Sequence, residues 1–376
     1  MPLVADFFAD ADTRAASHAC RKLGDLKRGM CWHSLEPALA ALTCEAPSLV
    51  LGVVCGAGFE DRPQLLAALA GRWTLLGNDA EIVARVKAPG QFFGGLDRLR
   101  IAYPATATKR PASIAGWLAK RRGGAGGSHI VPCRLAPDNT RLYFQERVAG
   151  RSMSALFVAN GTSARVLGFS EQWTAPTKRS LWRYGGAVRP AALSEAAQAS
   201  MTRAVTLAVS EFALKGLGSA DFIVGKNGPL LLEINPRPGA TLDIFDSEER
   251  GTEAPPLIGT HLDAVMTGTL PRGPLDFADA AASAIVYACE RIEVPPVMVW
   301  PEWTADRPNP SELIDKNRPI CTVLARAATK ARAKLLVEER ISRILGIFPK
   351  EIRGNAGGQE DGRERNASHG MAERQR

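Results

Sequence analysis

One stretch near the middle of the chain constrains its folding most: Ser219-Ala-Asp-Phe-Ile-Val-Gly-Lys-Asn-Gly-Pro-Leu-Leu-Leu-Glu-Ile-Asn-Pro-Arg-Pro-Gly239. Two apolar runs, Ala220–Val224 and Leu230–Ile234, flank an Asn-Gly pair and predict a β-hairpin. Asp221, Glu233 and Asn235 are set into those runs, three hard oxygen donors of the kind that hold Mg²⁺. Side chains on a strand alternate faces, so Glu233 and Asn235 share one face. A strict two-residue turn at Asn227-Gly228 would put Asp221 opposite Ile234, on the other face. A shared metal site therefore requires a bulge or an odd loop such as Asn227–Pro229. The plainer alternative is a surface hairpin with a solvated polar face. Against it, the strands are strongly apolar and Pro236-Arg237-Pro238-Gly239 follows at once, adding a guanidinium beside three oxygen donors.

A second stretch, Trp117-Leu-Ala-Lys120-Arg-Arg-Gly-Gly-Ala-Gly-Gly-Ser128-His-Ile-Val131, places four glycines between two β-like runs. Gly123, Gly124, Gly126 and Gly127 allow backbone N–H groups to converge on phosphate oxygens, while Lys120 supplies a point charge. The Gly-Lys-Ser/Thr ending and following helix of a Walker A loop are missing. A third stretch is Leu142-Tyr-Phe-Gln-Glu146-Arg-Val148-Ala-Gly-Arg-Ser152.

In this order and spacing, the three stretches resemble the ATP-grasp superfamily, most of all its carboligases related to biotin carboxylase. The resemblance extends over most of residues 46–345. It implies an ATP-grasp fold, α/β in class with α+β lobes, behind an N-terminal Rossmann-like pre-ATP-grasp domain. The implied division is residues 1–104 for the N-terminal domain and 105–348 for the ATP-grasp domain, with lobes of about 105–180 and 181–348. In such proteins Asp221, Glu233 and Asn235 would hold Mg²⁺, or Mn²⁺ in its place. Lys120 and the loop Gly123–Ser128 would close over the triphosphate of ATP. Lys87, in Ala-Arg-Val-Lys-Ala-Pro, would be a second nucleotide lysine, its plain alternative being a solvated helix-end charge. Glu146, Arg147 and Val148 would meet adenine. The chain departs from the pattern at Ser152, where an acid commonly binds ribose, and at Ser219, where amino-acid ligases commonly carry an arginine. Arg237 is then the candidate for stabilising the transition state.

The expected chemistry is that of an ATP- and Mg²⁺-dependent ligase: a carboxylate becomes an acyl-phosphate, which an amine captures. Among such relatives, glutamate-adding steps in one-carbon carrier cofactor biosynthesis are the nearest association. Two alternatives stand beside it, a biotin-carboxylase-like carboxylation and a nucleotide-binding regulatory protein without turnover. The expected partners are small-molecule carboxylates and amines, with a homodimer as the common default.

Composition agrees. A chain of 376 residues is long enough for two or three packed layers and a large core, so two to three domains are expected. Its formal charge of +8 is spread out, with small clusters at Lys120–Arg122 and Arg326–Lys334 and no aromatic-interleaved basic stripe, which argues against nucleic acid. No apolar stretch reaches membrane-spanning length, and Met1–Ala19 lacks a basic region followed by an apolar core, so no signal peptide is expected. The seven cysteines form no Cys-x-x-Cys pair, and the close Cys31 and His33 read as structural, so a reduced, cytoplasmic protein is expected. Ser48–Cys55 and Thr74–Leu76 read as parallel strands around a helix starting at Pro63, and Gly56-Ala-Gly58 is too incomplete for a dinucleotide loop. Helices are expected at Leu35–Leu42, Ser194–Leu214 and Leu257–Thr267, strands at Ala282–Ala288 and Ile320–Ala325, and a disordered tail from Pro349.

Overall fold

The computed structural model describes residues 2–24, 29–246 and 256–348. The expected tail lies outside them. The centre is an eight-stranded sheet, in order Gly228–Asn235, Lys215–Gly225, Arg151–Asn160, Ala164–Thr174, Tyr184–Arg189, Ala280–Tyr287, Pro319–Ala327 and Thr304–Ala305. All its pairings are antiparallel.

Period-two alternation explains how both faces of this sheet are covered. Along Arg151–Asn160, Met153, Ala155 and Phe157 face a core shared with helix Glu195–Phe212, whose Met201, Val205 and Val209 point inward. The intervening Leu156 and Val158 face Ile244, Phe245, Leu257 and Ala264 from the short helix Leu242–Phe245 and helix Leu257–Met266. At the far end, Ala282, Ala284 and Val323 pack on Ala333, Val337 and Ile344 of helix Lys330–Ile347. A separate four-stranded antiparallel sheet runs Thr106–Ala107, Leu142–Glu146, Trp117–Arg121 and Ile130–Pro132.

Most expected elements form where their local chemistry puts them. Ser194 caps helix Glu195–Phe212 by accepting from Ala197 N, Asp79 caps helix Ala80–Lys87 by accepting from Ile82 N, and Pro63 opens Pro63–Ala70. The helix expected at Leu35–Leu42 runs Trp32–Glu45. The N-terminal sheet is smaller than expected. Leu3–Asp6 and Ala19–Lys22 pair in parallel, whereas Ser48–Cys55 and Thr74–Leu76 meet only at one parallel bridge, Val53 to Leu75. The reason is visible in the run itself, for Leu49 and Leu51 are exposed instead of covered on both faces.

Two buried polar side chains join this N-terminal part to the large sheet. Asn78 accepts from Lys215 N at 2.8 Å and donates to the carbonyls of Lys215 and Pro236 at 2.8 and 2.9 Å. His261 accepts from Leu217 N on Nδ1 (2.9 Å) and donates from Nε2 to the Leu76 carbonyl (2.8 Å). Burial holds its pKa below the usual imidazole value, so the ring is neutral, as this bonding pattern requires. Replacing Asn78 by Ala should leave buried backbone groups of Lys215 and Pro236 unpaired and cost about 2–4 kcal/mol. A lower urea midpoint at unchanged slope is the expected result, and an unshifted midpoint would contradict it.

Candidate active site

The hairpin solves its register problem with a bulge. Its turn is the two-residue Lys226-Asn227, between Gly225 and Gly228, and not the odd loop considered above. That turn alone would pair Asp221 with Leu232, leaving Asp221 on the wrong face. The register shifts between Asp221 and Phe222, so Leu232 becomes the extra residue and Asp221 pairs with Glu233, Ser219 with Asn235. Ala220, Phe222, Leu231 and Ile234 stay in the core beneath. Asp221, Glu233 and Asn235 therefore share the opposite face.

There they interact directly. Asn235 Nδ2 donates to Asp221 Oδ2 at 3.0 Å, which leaves its Oδ1 to accept from Lys87 Nζ at 2.9 Å. The same ammonium lies 3.4 Å from Glu233 Oε2. Lys87 is thus no solvated helix-end charge, its side chain being only 8% exposed. Asp221 Oδ1 accepts from Ser154 Oγ at 2.7 Å and Gln172 Nε2 at 3.4 Å, two contacts that no sequence motif signalled.

The two carboxylates have opposite proton affinities. Burial, then the Glu233 charge, pushes Asp221 up to about 6. Burial also opposes ionisation of Glu233, but Lys87, Lys120 and His129 outweigh it and hold this carboxyl below its usual value. Lys120 is buried and donates to Gln145 Oε1 at 2.6 Å, while Gln145 donates to Thr106 Oγ1 at 3.2 Å. Burial lowers the Lys120 pKa, against the pull of Glu233 and Asp221. His129, at the far end of the glycine loop, is likewise lowered by burial and feels Glu233. Lys120, on the smaller sheet, and His129, in the turn before strand Ile130–Pro132, therefore lie near enough for their charges to act on Glu233.

The glycine loop spans that gap in a docked conformation. A side chain on Gly123 would meet Asp61 backbone atoms at 2.6 Å, and one on Gly127 would collide with the Trp182 carbonyl. Both glycines have positive φ, +65° and +72°. Tyr184 N donates to the Gly126 carbonyl at 3.0 Å, and a side chain on Gly124 would overlap the His129 ring. Ser128 completes the loop's last turn. Glu146, Arg147 and Val148 form the link between the two sheets. Glu146 and Arg147 are exposed, with Glu146 N donating to the Ala105 carbonyl and Arg147 N to that of Gly116. Ser152 bonds only weakly to Gln172, at 3.4 Å.

Arg237 leaves the hairpin and pairs with a residue that sequence reading passed over. Its Nε donates to Glu60 Oε1 at 2.5 Å, and its Nη1 to the Pro238 carbonyl at 3.2 Å. Glu60 is buried and also accepts from Gly58 N and Phe59 N through Oε2. Burial disfavours its charge, yet Arg237 and Lys87 hold the carboxyl below its usual value. The signal for it lay at Gly58, whose positive φ of +107° sits in the turn two residues before Glu60.

The comparisons with known proteins bear on the fold. Residues 91–241 match the family model described as "ATP-grasp domain". Residues 91–241 thus carry an ATP-grasp domain. Similar solved structures include the biotin carboxylase domain of Hydrogenobacter thermophilus 2-oxoglutarate carboxylase, complexed with MgADP, ADP and bicarbonate. It is 12% identical with a TM-score of 0.68, covering 92% of this chain and 84% of that one. L-amino acid ligase from Bacillus licheniformis is 14% identical, with a TM-score of 0.64 and coverages of 87% and 86%. N5-carboxyaminoimidazole ribonucleotide synthetase from Thermotoga maritima is 14% identical, with a TM-score of 0.61 and 91% of each chain covered. No curated protein sequence matches. At these identities the likeness establishes the ATP-grasp fold, including its N-terminal domain.

The donor set suits a hard cation. Among the described residues no three His, Cys, Asp or Glu side chains gather, so a zinc-type set is lacking. Two carboxylates and a carboxamide do gather, with the Lys87 ammonium in contact with two of them as a stand-in cation. Because the folded-state value of Asp221 lies above that of a free carboxyl, the native protein takes up a proton as pH falls towards 6. Stability from the Asp221 proton is therefore present at low pH and lost as pH rises through about 6, whereas Glu233, held below its usual value, contributes stability that is lost on acidification. Carboxyl NMR of the metal-free protein should show this midpoint near 6, and Glu233→Gln should lower it. An unmoved midpoint in that variant would show that Glu233 does not act on Asp221.

Proposed function

We propose that this chain is an ATP- and Mg²⁺-dependent carboxylate–amine ligase working through an acyl-phosphate. The observation that supports it most is the shared face of Asp221, Glu233 and Asn235, with the charges of Lys87, Lys120 and His129 acting on Glu233. In this reading the three oxygen donors hold Mg²⁺, whose charge when bound offsets that of the β- and γ-phosphates. Lys87 moves its charge from Glu233 and Asn235 to the nucleotide. Lys120 and the amides of Gly123–Ser128 hold the remaining phosphate oxygens, and Glu146, Arg147 and Val148 border the base. Arg237, kept in place by Glu60, faces the carboxylate and draws it towards the γ-phosphate. The carboxylate oxygen bonds to phosphorus as ADP leaves; the amine nitrogen then bonds to the acyl carbon as phosphate leaves. Closure of the loop keeps water from the acyl-phosphate.

The MgADP of the Hydrogenobacter domain and the ligase chemistry named for the Bacillus protein support the same reading. A glutamate-adding role in cofactor biosynthesis is its narrower form, and a homodimer its natural assembly, since the Hydrogenobacter domain was solved as a dimer. Mn²⁺ would serve in place of Mg²⁺, the donors being all oxygen. Among the described residues no helix is long and apolar enough to cross a membrane.

Titration calorimetry with a non-hydrolysable ATP analogue should show Mg²⁺-dependent binding. Asp221→Ala and Glu233→Ala should each abolish that metal dependence and lower turnover by about 10²-fold or more. Wild-type protein that binds no nucleotide, or variants that bind and turn over unchanged, would defeat the proposal.

A further inference from the structure

The glycine loop ends in a residue that the reaction described above does not use. His129 follows Ser128 directly, in the turn before strand Ile130–Pro132. Its ring packs back on the loop, so closely that a side chain on Gly124 would overlap it. Nδ1 lies 3.3 Å from the Ala125 carbonyl of the same loop. Nε2 makes no hydrogen bond among the described residues and is not sealed from solvent.

This bonding fixes where the ring hydrogen sits. A carbonyl oxygen only accepts, so Nδ1 carries the hydrogen and Nε2 of the neutral ring presents a lone pair. The charges that act on the ring are Glu233 from the hairpin, and Lys120 and Arg121 from strand Trp117–Arg121. Asp61, whose backbone supports the loop at Gly123, is paired with Arg62. Burial, helped by Lys120 and Arg121, outweighs Glu233 and the Ala125 bond and holds the ring below the usual imidazole value. The ring of the free protein is therefore neutral at about pH 7.

A nucleotide changes this balance. Phosphate oxygens also only accept, so a neutral ring would meet them lone pair against lone pair. Moving the hydrogen to Nε2 would supply a donor there but set a bare Nδ1 against the Ala125 carbonyl. A second proton satisfies both sides. Nδ1–H keeps the carbonyl, and Nε2–H donates a charge-assisted hydrogen bond to phosphate. We propose that His129 is a nucleotide-binding residue of this chain, which takes one proton from solvent onto Nε2 as the phosphates bind and holds them as an imidazolium. This rests on the nucleotide half of the ligase reading above and adds a proton to its binding step. The His129 contribution to nucleotide affinity is then full at low pH and lost as pH rises through the value of the ring in the complex.

Calorimetry of the ATP analogue with Mg²⁺, run in buffers of low and high ionisation enthalpy, counts the protons exchanged on binding. At about pH 7, wild type should take up about half a proton or more beyond His129→Gln, a variant in which Asp221 and Glu233 still titrate. The variant should bind nucleotide about threefold or more weakly at that pH, and the gap should shrink as pH is raised. Imidazole nitrogen NMR of the wild type gives the same answer without a variant, so it decides alone if His129→Gln does not fold or bind. The ring should change from neutral to imidazolium when nucleotide is added. Equal proton uptake by wild type and His129→Gln, both holding nucleotide, would overturn this inference and leave the ligase reading standing. So would a wild-type ring that stays neutral, in either tautomer, with nucleotide bound. Wild type that binds no nucleotide would overturn both.

Discussion

The site depends on two carboxylates, Asp221 and Glu233, lying opposite each other on adjacent antiparallel strands. Like charges in that position repel, and burial strengthens the repulsion. The protein answers with cations and with protons. Lys87 sits on Glu233 and Asn235, Lys120 and His129 act on Glu233 as well, and Asp221 keeps its proton affinity high. Such a face is incomplete by construction. It is balanced by a lysine that can be exchanged for a stronger cation, which fits a site that takes up a metal together with a polyanion.

The surrounding structure holds that face in place. Ser154 and Gln172 fix Asp221 from the neighbouring strands, and Asn235 fixes it from the edge. Asn78 and His261 tie the N-terminal part to the backbone at Lys215, Leu217 and Pro236, just where the hairpin strands leave the sheet. Glu60 then reaches Arg237 across the same junction. The glycine loop rests on Asp61 and Trp182 through contacts that only glycine allows, so its docked position is defined by shape more than by bonds.

Local chemistry made much of this legible beforehand. The hairpin, its apolar inner face and the helices capped by Ser194 and Asp79 follow from short patterns that the tertiary structure does not oppose. The face shared by Asp221, Glu233 and Asn235 could be stated only as a requirement for a bulge or an odd loop, because a register shift at Leu232 leaves no mark in composition. Glu60, Asn78 and His261 were not legible as site-supporting residues. Each acts on a partner more than a hundred residues away, so its role comes from the tertiary structure alone. Lys87 shows the same limit from the other side: a lysine at a helix end reads as solvated until the carboxylates that bury it are in place.

The central proposal is that Asp221, Glu233 and Asn235 together hold one metal cation, beside the Lys87 ammonium that now contacts Glu233 and Asn235. Anomalous diffraction from crystals grown with Mn²⁺ and an ATP analogue addresses it without relying on turnover. The account predicts an anomalous peak within metal-ligand distance, about 2–2.5 Å, of oxygens from all three side chains, with Lys87 turned to phosphate. A peak elsewhere, or nucleotide bound with Lys87 still seated on Glu233 and Asn235, would contradict it.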